Sequence, residues 1–475
     1  MGDAIQHRTS LRPDPGSFRD WDGRVFVSSD GIVRALSGQG VANWTALEAT
    51  DLYRRRVADG SLVPTRPAEA NELDELRAID PVWEGALVHE RVPFISYPYE
   101  WTFSMLQDAA LLQLELTAEA ISEGLILKDA SPYNVQWIGA RPTFIDVGSF
   151  ELLREGEAWS GYRQFCALYL YPLLLEAYKG VPFQPWLRGS PGGIAPEDVR
   201  GIFSARDLLR RGVLRHVVLH ARLERGNAHR SAEVRDELRA AGMSAQLVAK
   251  GIESLAALVR GLRPGTHGGT WGAYRETCSY DEGDIAAKDE FVRRAVGLRR
   301  RHLVWDLGCN DGRYSQIASQ GSELTLAIDS DPAVVDTLYR TLREEGSTSV
   351  SPLVVDLVNP SAAVGWRNAE RSTLLERGRP ELVLCLALVH HLSIANNVPL
   401  VEIVEWLRSL ECEVVVEFPH REDPMVQRLL AAKRSDAHPD YDRVTFGALL
   451  GLQLDVVDSV ELPSETRTLF LVRPR

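Results

Sequence analysis

The segment Val304–Ser315, VWDLGCNDGRYS, sets a carboxylate, Asp306, at the end of an apolar run and two glycines, Gly308 and Gly312, in the turn after it. Glycine lets the backbone turn sharply and approach a ligand with no Cβ in the way. The helix-like stretch that follows directs its first amides at the same place. In an open α/β sheet that place is the crevice at the carboxyl ends of the strands, where ligands bind. A second apolar run closes with Asp329, about 20 residues after the glycines. A carboxylate there is able to accept hydrogen bonds from both ribose hydroxyls of a nucleoside. Asp331-Pro332 reads as an N-cap followed by proline at the first helical position, so a helix starts there.

The elements that must hold these groups are legible around them. Strand-like runs alternate with helix-length segments at Leu303–Leu307, Leu324–Ile328, Leu353–Val355, Leu382–Leu388, Glu413–Glu417, Leu454–Val460 and Leu469–Val472. The first five are largely apolar on both faces, as buried parallel strands must be. Such alternation implies right-handed crossovers and a doubly wound sheet. The last two runs are joined by a short turn and predict an antiparallel hairpin at one edge.

Asp-Leu-Gly-Cys-Asn-Asp-Gly, an acidic residue closing strand two, Asp356-Leu357 after strand three and Ala-Leu-Val-His-His-Leu after strand four resemble a class I S-adenosylmethionine-dependent methyltransferase over about Trp271–Arg475. The edge hairpin is also that family's mark. The resemblance implies that Asp306, Gly308 and Gly312 line the methionine part of S-adenosyl-L-methionine and that Asp329 holds the ribose. It implies that Asp356 meets the adenine amino group with Leu357 beside the ring, and that Ala387 closes the pocket. The competing reading, a nicotinamide-binding unit, expects G-x-G-x-x-G; the spacing Gly308-x-x-x-Gly312 lacks the tighter G-x-G. Trp271–Phe291, Glu417–Pro419 and Asp423–Leu430 further resemble bacterial methyltransferases described as nodulation-related. That likeness implies a lid made of Tyr274, Tyr280 and Lys288, the alternative being a surface helix packed on the sheet.

Methyl transfer is an in-line displacement at an activated carbon, so the protein must align the acceptor and, for a hydroxyl, take its proton. His390 and His391, just beyond strand four, are the candidate bases, since neutral imidazole works near neutral pH. The alternative is that one of them packs structurally. Glu417 at the end of strand five is a weaker candidate, with a loop anchor as its other reading. No N/D-P-P-Y/F follows strand four, which argues against the methyltransferases that use this motif on exocyclic or amide nitrogen. The long connection Pro419–Phe446 is of the kind that shapes acceptor pockets. The expected acceptor is a small molecule or a glycan- or lipid-type compound.

Toward the N-terminus, Arg24–Ser28 and Gly31–Leu36 read as a hairpin around Ser29-Asp30, Thr45–Asp59 as helical, Ala86–Tyr97 as one or two strands, and about Thr102–Glu123 as a long helix. Short strands follow at Leu125–Lys128, Val135–Ile138 and Thr143–Asp146; Gly161 to about Leu262 is almost all helical. Lys128-Asp129 through Asn134, then Phe144-Ile-Asp146-Val-Gly148, resembles the catalytic loop and metal-binding motif of the protein-kinase-like fold. The likeness implies that Asp129 positions an acceptor hydroxyl while Asn134 and Asp146 hold Mg-ATP. Departures are plain. No lysine precedes Lys128, leaving Arg24 or Arg34 as substitutes; Gly38-Gln39-Gly40 is a poor glycine-rich loop; Leu127 stands where the family has histidine. Three readings stay open: a degenerate module that binds without phosphoryl transfer, a small-molecule kinase fused to a methyltransferase, and ordinary turn and cap residues.

The predicted fold class is α/β. A Rossmann-like seven-stranded sheet (266–475), mostly parallel with an antiparallel edge hairpin, is preceded by an α+β kinase-like domain (23–265) and a loose arm (1–22). Arg263–Thr270 is the candidate linker. The 475 residues carry a net charge of −13, which disfavours general binding to nucleic acid or anionic membranes. No apolar run reaches the roughly 18 residues of a membrane span. The N-terminus has no apolar signal segment, and five scattered cysteines form no C-x-x-C pair. A cytoplasmic protein with reduced thiols and no metal site is the expectation.

Overall fold

The computed structural model describes residues 11–28, 31–154, 156–222, 244–265, 281–434 and 437–475. Tyr274, Tyr280, the Ser29-Asp30 turn and the glycine-rich stretch from Thr266 to Thr270 lie outside the described residues.

Strands β1 (Arg12–Pro13), β2 (Gly23–Val27), β3 (Ile32–Leu36), β4 (Thr65–Pro67) and β5 (Gly85–His89) form an antiparallel sheet in the order β1-β2-β3-β5-β4. The β2–β3 hairpin follows the alternation of its residues: Phe26, Val33 and Ala35 share one face and are buried with Leu76 of the helix Ala70–Ile79. The expected loose arm is anchored from residue 11 onward. β1 pairs with β2, and Lys128 reaches Asp20 and Asp22 at 3.4 and 3.2 Å. Gly38-Gln39-Gly40 forms no loop. It is the first turn of the helix Gly38–Glu48, where Ser37 accepts the N–H of Gly40. The helix expected over Thr45–Asp59 is split, because Thr50 caps a second helix at Asp51–Ala58.

The long helix α1 (Phe103–Ser122) starts at Thr102, whose hydroxyl accepts the N–H of Met105 at 3.2 Å. Leu106, Ala109, Ala110, Leu114 and Leu116 are all fully buried, so α1 is enclosed on several sides, with Glu115 left exposed. β6 (Leu125–Leu127), β7 (Val135–Ile138), β8 (Arg141–Phe144) and β9 (Phe150–Leu152) then form two small antiparallel pairs, β6 with β9 and β7 with β8. Helices including Tyr171–Lys179, Gln184–Gly189 and Ala245–Gly261 complete this part.

The C-terminal part runs α2 (Glu282–Gly297), β10 (Arg301–Leu307), α3 (Arg313–Ser319), β11 (Ser322–Asp329), α4 (Pro332–Glu344), β12 (Val350–Val354), β13 (Leu382–Cys385), β14 (Glu413–Pro419), β15 (Asp455–Glu461) and β16 (Arg467–Arg473). Its mixed sheet has the order β12-β11-β10-β13-β14-β16-β15. β10 to β14 pair in parallel, and β16 is antiparallel to both of its neighbours. Asp331 caps α4 through the N–H groups of Ala333 and Val334, with Pro332 at the first turn. Strand four, expected to run to Leu388, stops at Cys385, because Ala387 takes φ +51° and leaves the extended conformation.

The two parts share one core. Leu338, Tyr339 and Leu342 of α4 pack into the cluster built on α1, and Tyr339 meets Trp137 edge-on at 5.3 Å. Polar groups at this boundary are paired. Asp336 accepts both the N–H and the hydroxyl of Ser104 at 2.9 and 3.1 Å, and Tyr339 donates to Asp108 at 2.6 Å. Glu100 and Arg377, 1% and 3% exposed, form a two-pronged ion pair at 2.5 and 2.8 Å. Among the described residues no helix is long and apolar enough to cross a membrane.

Removing one partner of a buried ion pair strands the other charge. Glu100→Ala is therefore expected to lower the unfolding free energy by about 3–5 kcal/mol in a urea titration. A loss below about 1 kcal/mol, the scale of an exposed pair, would show that the boundary does not depend on this contact.

Candidate functional site

The chain enters the C-terminal sheet at β10, proceeds outward through β11 to β12, and returns to place β13 on the other side of β10. The loops after β10 and β13 therefore diverge, and a crevice opens between them at the strands' carboxyl ends. It holds a cavity of about 380 Å³. Lys288, Asp306, Gly308, Asp329, Asp356, Leu357, Ala387 and His391 line it. Eight positions expected from sequence thus meet in one space.

Asp306 is buried at the end of β10 and accepts the hydroxyl of Ser315, on α3, at 2.5 Å. Burial pushes its carboxyl up to about 7, against that hydrogen bond and the positive charge of Lys288. Gly308 turns the chain at φ +72°, and among the described residues a Cβ there would meet only Leu388 Cδ1, at 3.6 Å. Asp329 accepts the N–H of Asn310 at 3.1 Å on one oxygen and that of Asp331 at 3.0 Å on the other. Burial raises its pKa, opposed by those backbone bonds. Asp356 is exposed and starts a turn in which it accepts the N–H of Val358 at 3.0 Å. Leu357 is half-buried beside it. Gly312 does not line the cavity. At φ +82° it begins α3, and a Cβ would lie 2.5 Å from Leu338 Cδ1, so this glycine serves the turn and the close approach of α4.

Lys288 projects from α2, buried, with its ammonium 2.7 Å from Glu417. Arg467 meets Glu417 at 3.1 Å and Asp423 at 2.7 Å, so a buried chain of alternating charges runs beneath the cavity. Burial lowers the Lys288 pKa, and Glu417 opposes the shift. Lys288 also stands 4.7 Å from the ring of Tyr314. α2 is fixed to α3 by Arg313, which donates to both oxygens of Asp289 at 3.0 and 2.6 Å. Of the three residues expected in a lid, only Lys288 is described, and it sits in a packed wall.

The two histidines part company. His391 lines the cavity, and burial pushes its pKa down to about 4. His390 is fully buried outside the cavity wall, its ring 4.1 Å from that of His391. Among the described residues neither of its nitrogens has a hydrogen-bond partner, and burial holds its pKa well below the ordinary value. The expectation of His390 as a base is corrected to this extent: its ring is buried outside the cavity lining, and His391 is the histidine that faces the cavity. Sequence reasoning missed Asn310 and Tyr314. Asn310 sits at φ +47°, a conformation that the Asn-Asp-Gly turn signal favours.

The N-terminal cluster is drawn together around Asp146. Arg34 of β3 pairs with Asp146 at 2.6 Å, Ser149 donates to the same carboxylate, and Asn134 donates to Ser149 at 3.3 Å. Burial pushes the Asp146 pKa up, but Arg34 and Ser149 hold it below the usual range. Burial and the nearby Asp146 raise that of Asp129. A Cβ on Gly148 would lie 2.8 Å from an Arg34 nitrogen, so the glycine makes room for the guanidinium. The space bounded by Asp22, Arg34, Trp44 and Gly148 measures about 10 Å³, enough for one water. Asp129, Asn134 and Asp146, the residues the sequence reading offered to Mg-ATP, do not line that space.

No family model matches the chain. The nodulation protein NoeA of Rhizobium meliloti (strain 1021) is 32% identical over 462 residues, spanning 96% of this chain and 94% of that protein. Among solved structures, the N-methyltransferase NodS of Bradyrhizobium japonicum WM9 with S-adenosyl-L-homocysteine is 12% identical. The match covers 44% of this chain and 93% of NodS with a TM-score of 0.31. The magnesium protoporphyrin IX methyltransferase ChlM of Synechocystis PCC 6803 with bound SAM is 18% identical. It covers 43% of this chain and 92% of ChlM with a TM-score of 0.29.

Asp306 supplies a pH test. Its folded pKa of about 7 lies above the unfolded carboxylate value, so the unfolded chain loses this proton first as pH rises. Stability from this group is full below about pH 4 and falls until about pH 7, by at most about 1.4 kcal/mol per pH unit. Melting curves should show Asp306→Asn losing less stability than the parent across that window. Parallel losses in the two proteins would contradict the assignment.

Proposed function

The chain belongs to the family of the nodulation protein NoeA, and we propose that its C-terminal part is an S-adenosylmethionine-dependent methyltransferase. The observation that carries this reading is the meeting of Asp306, Gly308, Asp329 and Asp356 in one cavity of about 380 Å³ at the sheet's switch point. That volume lies in the range of small-ligand and cofactor sites, about 300–1,000 Å³. The donors fit the group as well. Asp329 accepts backbone N–H groups on both oxygens and still lines the cavity, so its carboxylate has acceptor capacity to offer a ribose hydroxyl. Among the described residues, nothing lies nearer than 3.6 Å to where a Cβ at Gly308 would stand.

Asp306 and Lys288 would hold the charged amino-acid end, Asp329 the ribose, and Asp356 with Leu357 the adenine edge. The turned backbone at Ala387 closes the pocket between them. When bound, S-adenosylmethionine supplies a methyl group already activated on a sulfonium. The protein's own task is then alignment and, for a hydroxyl acceptor, removal of a proton. His391 is the base in this reading. Its pKa of about 4 keeps the imidazole neutral, and able to accept, throughout the neutral range. The acceptor class we propose is a small molecule or a glycan- or lipid-type compound.

The N-terminal part is, in this proposal, a kinase-like accessory module without phosphoryl transfer. The Arg34–Asp146 pair supports that choice over a bifunctional kinase and methyltransferase, because the carboxylate is already committed to an internal cation.

Titration calorimetry with S-adenosyl-L-homocysteine tests the donor site: the parent protein binds, and Gly308→Arg does not. A well-folded parent chain that takes up no ligand would overturn the proposal. Isotopically labelled S-adenosylmethionine in a cell extract would reveal the acceptor by mass spectrometry. With that acceptor, His391→Ala should lower kcat by about 10²–10⁴-fold while leaving donor affinity unchanged. An undiminished kcat would remove His391 as the base.

A further inference from the structure

Both walls of the adenosine half of the cavity are held by the N-terminal part. Asp329 leads directly through its cap, Asp331, into α4, and α4 is bound to the first turns of α1 by Ser104–Asp336 and Asp108–Tyr339. The opposite wall, Asp356–Val358, has left the sheet, since β12 ends at Val354. Within that wall only a local turn orders the backbone, Asp356 accepting the N–H groups of Val358 and, from its carbonyl, Asn359. Beyond it the chain is gripped from outside. The Arg188 guanidinium donates to the carbonyls of Asn359 and Pro360 at 2.8 and 2.7 Å and to the Asn359 side chain at 3.1 Å. Ser361 donates to Glu100, the partner of Arg377 at the far end of the same connection. Ser372, between them, donates its N–H to Tyr97 at 2.8 Å. The helix Gln184–Gly189 that carries Arg188 is tied to the same turn, because Gln184 donates to the carbonyl of Trp101 at 3.0 Å.

We infer that Arg188 is a positioning residue for the adenosine half of the donor site: it fixes the Asp356–Asn359 turn, and the N-terminal part thereby completes a pocket that the C-terminal sheet alone leaves open on one side. This rests on the reading of the cavity as the S-adenosylmethionine site. The geometry is specific to arginine. Three acceptors lie around one planar fork, and an ammonium, a point charge on a flexible stem, would not satisfy all three in that arrangement. The hydrogen bonds of Arg188 go to Asn359 and Pro360, which do not themselves line the cavity, so its effect passes through the turn it anchors.

The test compares two probes on the full chain, S-adenosyl-L-homocysteine and adenosine, by titration calorimetry. Arg188→Ala should weaken both by the same factor, roughly tenfold, because both are read by the turn. Arg188→Lys should recover only part of the loss. Melting temperatures of the unliganded variants should match the parent, which separates positioning from global damage. Unchanged affinity for both probes in Arg188→Ala would overturn the inference. So would a loss for the homocysteine compound without a loss for adenosine, or equal weakening accompanied by a collapsed melting temperature. A parent protein that binds neither probe would instead refute the donor-site reading on which the inference stands.

Discussion

Strand order is the constraint from which the site follows. The chain starts its parallel sheet at β10, in the interior, and must return across it to begin β13. Neighbouring loops then leave the sheet in opposite directions, and no side-chain choice closes the gap between them. The residues at the carboxyl ends of β10, β11 and β13 inherit that gap as their surroundings. Asp306 becomes a buried carboxyl, Asp329 is bound to two backbone N–H groups, and Ala387 abandons the strand. Each of these arrangements is costly in a closed core, and each is understandable at the rim of a binding space.

Beneath the rim, charge is handled in series. Lys288, Glu417, Arg467 and Asp423 alternate in sign within hydrogen-bonding distance. Burying any one of these alone would be prohibitive, whereas in sequence each satisfies its neighbour. The N-terminal part relies on the same device at Glu100 and Arg377 and at Arg34 and Asp146. In the last pair a carboxylate that the sequence reading offered to a metal is paired with Arg34 of β3. The two parts thus share one packed core, with paired charges at its boundary.

What could be read from the sequence was local. Gly308, Asp329 and the Asp331-Pro332 cap announce themselves because backbone turns and helix starts depend on residues a few positions apart. The strand runs of the C-terminal part were also visible, because buried parallel strands need apolar residues on both faces. The boundary was not. Ser104 with Asp336 and Glu100 with Arg377 join residues more than 200 positions apart, and nothing in either segment alone specifies the partner. The choice between His390 and His391 was likewise hidden. Once Ala387 leaves the strand, alternation no longer assigns faces, and only three-dimensional packing turns one ring to the cavity and the other to the core. The short strands β1 and β4 escaped because two or three residues carry no periodicity.

The most direct measurement is a crystal structure of the full chain grown with S-adenosyl-L-homocysteine. Density for the ribose should appear against the Asp329 carboxylate, with the adenine beside Leu357 and the amino-acid end near Asp306 and Lys288. A cavity containing only solvent at saturating ligand, or a ligand bound elsewhere on the chain, would contradict the central assignment.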